Sequence, residues 1–205
     1  MKIVFVVLFL LVNSVSGQTQ TGQQVPFVRV DRIGDAAERS FFVFSTSYRD
    51  YAIRHDGHGE GSSTTVMRKN FDLRMGGGGR LERLYFAEYD GDLFLEYEVT
   101  DLRGDWGYLL RMDQKMMKLR WIVPLSANNL GPGLIDGEGI YFSAANLLAK
   151  VDLTNGSYLW QQNQTEHTWA FGLPELKGQA LVFHDAGEID RSVEVDKTTG
   201  RLIKH

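Results

Sequence analysis

The stretch Val151–Trp160, VDLTNGSYLW, decides how this chain folds. An apolar strand ends in an Asp, a Gly follows four residues later, and a Trp stands eight residues after the Asp. An Asp at a strand end accepts hydrogen bonds from the backbone of the following turn, and Gly supplies the left-handed conformation that completes it. The stretch therefore predicts a strand, a tight polar turn and a second strand.

The same pattern recurs on both sides of this stretch, at a spacing of about forty residues. Asp113 is followed by Trp121, with Met117 in the Gly position. Asp196 is followed by Gly200, but the Trp is replaced. Such a period is typical of repeat proteins, in which each supersecondary unit buries its apolar faces only against its neighbours. The residues of the pattern are Asp113, Trp121, Asp152, Gly156, Trp160, Asp196 and Gly200.

Turn residues separate short apolar runs along most of the chain, and helical periodicity is nearly absent, which favours many antiparallel strands. Asp90–Gly91 lies between two such runs and predicts a type I′ hairpin turn. Asp136–Gly137 and Lys177–Gly178 occupy the equivalent place in the next two units. Each unit is therefore interpreted as a four-stranded meander.

Stacked meanders of this kind predict an all-β fold, a small β-propeller of about four four-stranded antiparallel blades, because radial stacking leaves only short, protected edges. The first blade is expected between Phe41 and Phe71, with a strand at Thr64–Phe71. Phe27–Val30 is expected to add a closing strand beside the last blade.

Residues 1–17 have the features of a signal peptide: Lys2, an apolar run at Ile3–Val12, and a patch of small residues before Gln18. About ten apolar residues are too few to cross a bilayer, which needs about twenty. An uncleaved anchor helix is the alternative. We expect a chain exported to the periplasm or the cell exterior, with a flexible leader at residues 18–24 and a repeat domain at residues 25–205, and with no stable membrane span after cleavage.

The composition limits how this fold is stabilised and what it binds. The chain has no Cys, so burial rather than disulfide bonding must hold an exported domain together. The formal net charge is −4, and no basic stripe is present, so nucleic acid is not an expected partner.

The stretch Val151–Trp160 resembles the repeat signature of pyrroloquinoline-quinone-like (PQQ-like) propellers, with partial copies at Asp113 and Asp196. The resemblance covers roughly Leu84 to His205 and implies that the two Trp residues fill the gaps between blades. Some family members are quinone-dependent dehydrogenases with larger propellers, and others are cofactor-free scaffolds. This chain is about half as long as those larger propellers and lacks a Cys pair and a recognisable calcium-ligand set. The cofactor-free branch is therefore favoured, and two chains could pair as a homodimer to complete a larger ring.

His55 and His58 lie in the segment that most resembles a metal-binding site, because two imidazoles and two carboxylates fall within six residues. A solvated hairpin loop is the competing interpretation. His167 and Trp169 begin a predicted strand at one mouth of the propeller and could contact a ligand, although burial against a neighbouring blade is also compatible. No catalytic residue is predicted, since His184–Asp185 has no accompanying nucleophile motif.

These observations predict a non-enzymatic binding or scaffold protein that needs no cofactor and recognises a protein or carbohydrate partner. Two alternatives stay open: a degenerate or partial quinoprotein oxidoreductase, and a metal-binding module.

Overall fold

The computed structural model describes residues 23–33, 39–56, 63–68, 71–74, 80–101, 104–125, 129–163, 171–185 and 191–204. Every regular element in these ranges is a β-strand, so the fold is all-β, as predicted. The strands are β1 (Val25–Pro26), β2 (Val28–Arg29), β3 (Arg32–Ile33), β4 (Arg39–Ser45), β5 (Asp50–Asp56), β6 (Ser63–Arg68), β7 (Phe71–Arg74), β8 (Arg80–Tyr89), β9 (Asp92–Asp101), β10 (Gly104–Asp113), β11 (Lys118–Leu125), β12 (Leu134–Ile135), β13 (Ile140–Ala144), β14 (Leu147–Val151), β15 (Tyr158–Asn163), β16 (Glu175–Lys177), β17 (Ala180–His184), β18 (Ser192–Asp196) and β19 (Leu202–Lys204).

These strands form four separate antiparallel sheets. The first sheet has the order β3-β4-β5-β6-β7, and the second has β2-β8-β9-β10-β11. The third has the order β1-β12-β13-β14-β15, and the fourth has β16-β17-β18-β19. Four consecutive strands of each sheet follow one another along the chain, so each sheet contains the meander that the sequence predicts.

The hairpin turns follow the local sequence. Asp90 and Gly91 have φ angles of 52° and 77°, the positive values that a type I′ turn requires. Gly137, with φ 85°, and Gly178, with φ 64°, lie in the corresponding connections of the third and fourth sheets. The predicted positions of these three turns are confirmed.

Apolar side chains from consecutive sheets share three buried clusters, so the sheets pack in chain order. Strand β9 shows why, because its successive side chains point to opposite faces. Leu93, Leu95 and Tyr97 belong to the cluster with the first sheet, whereas Phe94 belongs to the cluster with the third. A further cluster joins the third and fourth sheets. The meanders therefore bury their faces against each other, as repeat units do.

Residues of β18 in the fourth sheet alternate between a buried apolar face and a polar outer one. Val193 and Val195 of β18 are buried against the third sheet. Ser192 and Glu194, which alternate with them, are exposed or half-buried.

The segment Val25–Ile33, which we name the N-terminal strap, runs along the first strands of three sheets. Its strand β1 pairs with β12, β2 pairs with β8, and β3 pairs with β4, all antiparallel. Phe27 and Val30 are buried, and their N–H groups donate to the carbonyl oxygens of Gly133 (2.8 Å) and Leu84 (2.9 Å). The strap therefore links three sheets through backbone hydrogen bonds.

Two strand predictions are wrong. Phe27–Val30 does not lie beside the last sheet, because Val28 pairs with Phe86 of the second sheet. The predicted strand Thr64–Phe71 is two strands, since the chain reverses and Arg68 pairs with Phe71.

Candidate functional site

The repeated Asp residues organise turns at one end of the sheets. Asp152 Oδ1 accepts hydrogen bonds from the N–H groups of Thr154 (2.6 Å) and Asn155 (3.1 Å). Asp196 Oδ1 accepts equivalent bonds from Thr198 (3.0 Å) and Thr199 (2.7 Å). The bonds from Thr199 hold the pKa of Asp196 below its ordinary value.

The first copy of the turn departs from the other two in sequence but keeps their conformation. Asp113 accepts a bond of 2.8 Å from the N–H of Met116, which lowers the pKa of Asp113. Met117 has φ 54°, close to the values of 75° at Gly156 and 69° at Gly200. The turn therefore imposes a left-handed conformation even where a side chain makes it costly.

Each Trp of the repeat pattern bonds to the Asp turn of the following sheet. Trp121 Nε1 donates to the Leu153 carbonyl at 3.0 Å, and Trp160 Nε1 donates to the Lys197 carbonyl at 3.0 Å. In both cases the acceptor is the residue after the Asp. The indole rings lie directly on the turn glycines, because a Cβ placed on Gly200 would come within 2.6 Å of Trp160.

A cation placed over an aromatic ring accompanies each Trp junction. The Arg111 guanidinium lies 5.3 Å from the Phe94 ring centroid, and Lys150 Nζ lies 5.0 Å from that of Tyr141. Both cations stand two residues before a repeat Asp and pair across strands with the ring they cover. In the fourth sheet Glu194 stands in this position. These contacts favour a fixed orientation of Phe94 beside Trp121 and of Tyr141 beside Trp160, at two of the three junctions.

The junction between the first and second sheets is built differently, around the buried side chain of Gln114. Its Oε1 atom accepts from Thr46 Oγ1 (2.8 Å) and from the Tyr51 hydroxyl (3.2 Å). Its Nε2 atom donates to Glu88 Oε2 (3.2 Å), which also receives the Ser47 hydroxyl. Gln114 follows Asp113 directly and so corresponds to the residues that accept the Trp bonds elsewhere.

Seven strand connections lie at one end of the sheets, and we name this end the turn face. They are β4–β5, β8–β9, β10–β11, β12–β13, β14–β15, β16–β17 and β18–β19. The inter-sheet bonds at Gln114, Leu153 and Lys197 all lie there. Tyr48 and Met116 are exposed on it, with 54% and 66% of their surface accessible. The turn face thus combines a rigid hydrogen-bonded base with accessible apolar side chains.

A charge network supports the middle of the turn face. The buried carboxylate of Asp92 accepts from Arg111 Nε (2.5 Å) and lies 2.7 Å from Arg120 Nε. Arg120 also pairs with Asp113 at 2.9 Å, while 43% of its side chain remains exposed. Arg111 reaches the Leu153 carbonyl of the next sheet at 2.7 Å. The exposed part of Arg120 is held in place by two carboxylates.

Two glutamates are buried between the second and third sheets. Glu96 Oε2 accepts from the Gly133 N–H (3.1 Å), and Glu98 Oε2 accepts from the Leu130 N–H (3.0 Å). Glu96 Oε1 is buried and has no hydrogen-bond partner among the described residues. Burial raises the pKa of Glu96 well above its ordinary value and also raises that of Glu98, where the Leu130 bond and Arg83 oppose the shift. This pair holds the connection between the two sheets.

The residues predicted as metal ligands or ligand contacts fall mostly outside the described part of the chain. His55 lies in β5, where its backbone pairs with Ser40 and Thr64, and His58 is not described. His167 and Trp169 also lie outside the described residues. The structure therefore tests neither prediction.

His184 lies at the end of β17, with its Nε2 atom 3.4 Å from Glu175 Oε2, and its side chain is half exposed. Within the described ranges, no group of three or more His, Asp or Glu side chains is arranged to hold a metal ion.

Sequence reasoning missed Arg111, Gln114 and the two buried glutamates. Glu96 and Glu98 alternate with apolar residues along β9, which is the pattern of a strand with one solvated face. This alternation was misleading because the third sheet covers the face that carries the two glutamates. Gln114 lies in a polar turn, where nothing in the local sequence indicates burial.

The described residues contain no helix with the length and hydropathy needed to cross a bilayer. No protein-family profile matches the chain, and a search of curated proteins found no significant match.

Proposed function

We propose that this protein is an exported, non-enzymatic binding or scaffold protein, and that its four stacked sheets form a small propeller-like array of the PQQ-like type. Residues 1–17 would act as its signal peptide. Its partner, a protein segment or a carbohydrate, would bind on the turn face.

The repeated Trp junction is the observation that supports this proposal most strongly. Trp121 and Trp160 make the same bond to the residue after Asp in the next sheet, and Trp rings that fill the gaps between units are what the resemblance to PQQ-like repeats implies. Each sheet is thereby fixed against the next through its turn. A surface built on such locked turns changes shape little when a partner binds, which lowers the entropic cost of binding.

The accessible side chains of the turn face fit a non-covalent partner. Tyr48 supplies a flat ring that can stack on a sugar or a side chain, and Met116 supplies an adaptable apolar contact. Arg120, held by Asp92 and Asp113, presents a positioned guanidinium. Tyr and Arg are enriched where binding energy is concentrated in protein interfaces.

A binding comparison between matched variants tests the proposal. The biotinylated mature protein is screened against a glycan array and against purified envelope proteins, and hits are measured by calorimetry. Tyr48→Ser combined with Met116→Ser should weaken binding at least about tenfold, which corresponds to 1.4 kcal/mol. Trp106→Ser changes a similarly exposed aromatic residue near the opposite end of β10 and serves as the control.

Three results would contradict the proposal. Binding that is lost with Trp106→Ser but kept in the double variant would place the partner elsewhere. Dye reduction after addition of PQQ and Ca²⁺ would favour the quinoprotein alternative. An intact precursor that keeps residues 1–17 at its N-terminus in the cell envelope would favour an anchor over a cleaved signal peptide.

A further inference from the structure

The first strand of each meander pairs with the second strand along one backbone edge, and we name its other backbone edge the first-strand edge. In three sheets this edge is occupied by the N-terminal strap: β3 covers β4, β2 covers β8, and β1 covers β12. The fourth sheet has four strands, and among the described residues nothing pairs with the first-strand edge of β16. An open strand edge presents unpaired N–H and C=O groups and is a template for another strand.

Along the chain, the strap pairs first with the third sheet, then with the second and last with the first. Going backwards from Ile33, it covers the first sheet, then the second, then the third. The third sheet packs on the fourth through a shared apolar cluster. The residues that precede Val25 therefore leave from the third sheet, which packs on the sheet whose first-strand edge is open in the described structure.

The spacing between the short strands of the strap is also compatible with a fourth strand pairing. One residue, Phe27, separates β1 from β2, and two residues separate β2 from β3. Gln23 and Gln24 precede β1 without forming a strand and match such a separation. Each further residue adds at most about 3.6 Å of reach. A fourth two-residue pairing at the same spacing falls on residues 21–22.

We propose that the first-strand edge of β16 is the docking site for the leader of this chain, centred on residues 21–22. The edge suits an extended polar segment, because the side chains of Glu175 and Lys177 that flank it are polar and each 55% exposed. The leader residues QTQTG carry no charge and little apolar surface, so they pair through their backbone groups. This inference rests on the proposed removal of residues 1–17 but not on the proposed binding activity.

The absence of Cys from the chain makes a cross-linking test direct, since two introduced thiols are the only ones present. Thr21→Cys is combined with Lys177→Cys or, for the neighbouring register, with Glu175→Cys in the mature chain from Gln18 onward. The control combines Thr21→Cys with Ile203→Cys, because Ile203 is 56% exposed on the opposite edge of the same sheet. A short bismaleimide reagent is added, and intramolecular products are separated from dimers on denaturing gels.

If the leader docks on β16, the yield of intramolecular cross-link should be at least about tenfold higher for one of the two β16 cysteine pairs than for the control pair. Docking raises the local concentration of the two thiols. Equal yields in test and control pairs overturn the proposal. Cross-linked dimers in place of monomeric products also overturn it, because a second copy would then occupy the edge.

Hydrogen exchange gives an independent measurement that needs no cysteine. Deleting residues 18–22 leaves the sequence of every strand, β1 to β19, intact. The amides of β16 should exchange faster in the deletion variant, while those of β19 remain unchanged. Unchanged exchange in β16 refutes docking of the leader.

Discussion

The contact between Gly200 and Trp160 allows the Trp junction to be tested with one matched pair of substitutions. Gly200 and Gly178 both have positive φ angles, 69° and 64°. A Cβ placed on Gly200 would lie 2.6 Å from Trp160, whereas a Cβ on Gly178 would meet nothing within 4 Å. Alanine at either position is strained by the positive φ angle, but only alanine at Gly200 pushes on the preceding sheet, to which Trp160 belongs.

The two contributions can be estimated separately. A left-handed conformation costs an Ala roughly 1–2 kcal/mol, which is the whole expected effect of Gly178→Ala. Inserting a methyl group into a well-packed contact costs about 1–3 kcal/mol more. We therefore expect Gly200→Ala to lower the free energy of unfolding by about 2–5 kcal/mol.

Urea unfolding followed by far-UV circular dichroism measures both variants without relying on Trp fluorescence. The difference between them should largely disappear when both are made in a Trp160→Leu background, because the ring atoms that meet the new methyl group are then gone. Equal losses for Gly200→Ala and Gly178→Ala would refute the packing argument. A difference that persists in the Trp160→Leu background would show that the strain lies elsewhere.

Substitutions at three residues test further contacts by the same unfolding measurement. Trp160→Ala should cost about 3–5 kcal/mol, and Trp160→Phe should cost less because it keeps most of the ring while losing the bond to Lys197. Gln114→Leu should cost about 1–3 kcal/mol, since it leaves the buried Tyr51 hydroxyl without its acceptor oxygen, and an unchanged stability would exclude Gln114 as the centre of the first junction. Glu96→Gln should stabilise the protein relative to wild type, and the gain should grow as the pH rises above about 4.5. Burial raises the pKa of Glu96 in the folded state, so ionisation of this carboxyl lowers the free energy of unfolding of the wild type. A difference between Glu96→Gln and wild type that does not grow with pH would contradict this sign.

The local sequence was sufficient for the turns. Asp152 and Asp196 bond to N–H groups two and three residues away, and Gly156 and Gly200 provide the left-handed residue of the same turns. All of these interactions lie within a few consecutive residues, so residue type and spacing determine them. The same reasoning covers the hairpin turn at Asp90 and its counterparts in later units.

The sequence also predicted what the Trp side chains would do, but not which groups they would meet. A large ring after a repeated turn must be buried, and its N–H group needs an acceptor. That the acceptor is the residue after Asp in the next sheet follows only from how two sheets pack. Gln114 has no such local signal, because its partners Thr46 and Tyr51 come from a distant part of the chain.

Burial of Glu96 and the path of the N-terminal strap were decided by tertiary structure alone. Alternating residues in β9 indicate two different faces, but only the packing of the third sheet makes the polar face an interior one. The strap is too short and irregular to specify its partners, since each of its strands has two residues, and β1 and β2 pair with sheets formed much later in the chain. Turn chemistry acts between neighbouring residues and can be read from their order, whereas strand-edge pairing and desolvation depend on segments that meet only after the sheets have packed.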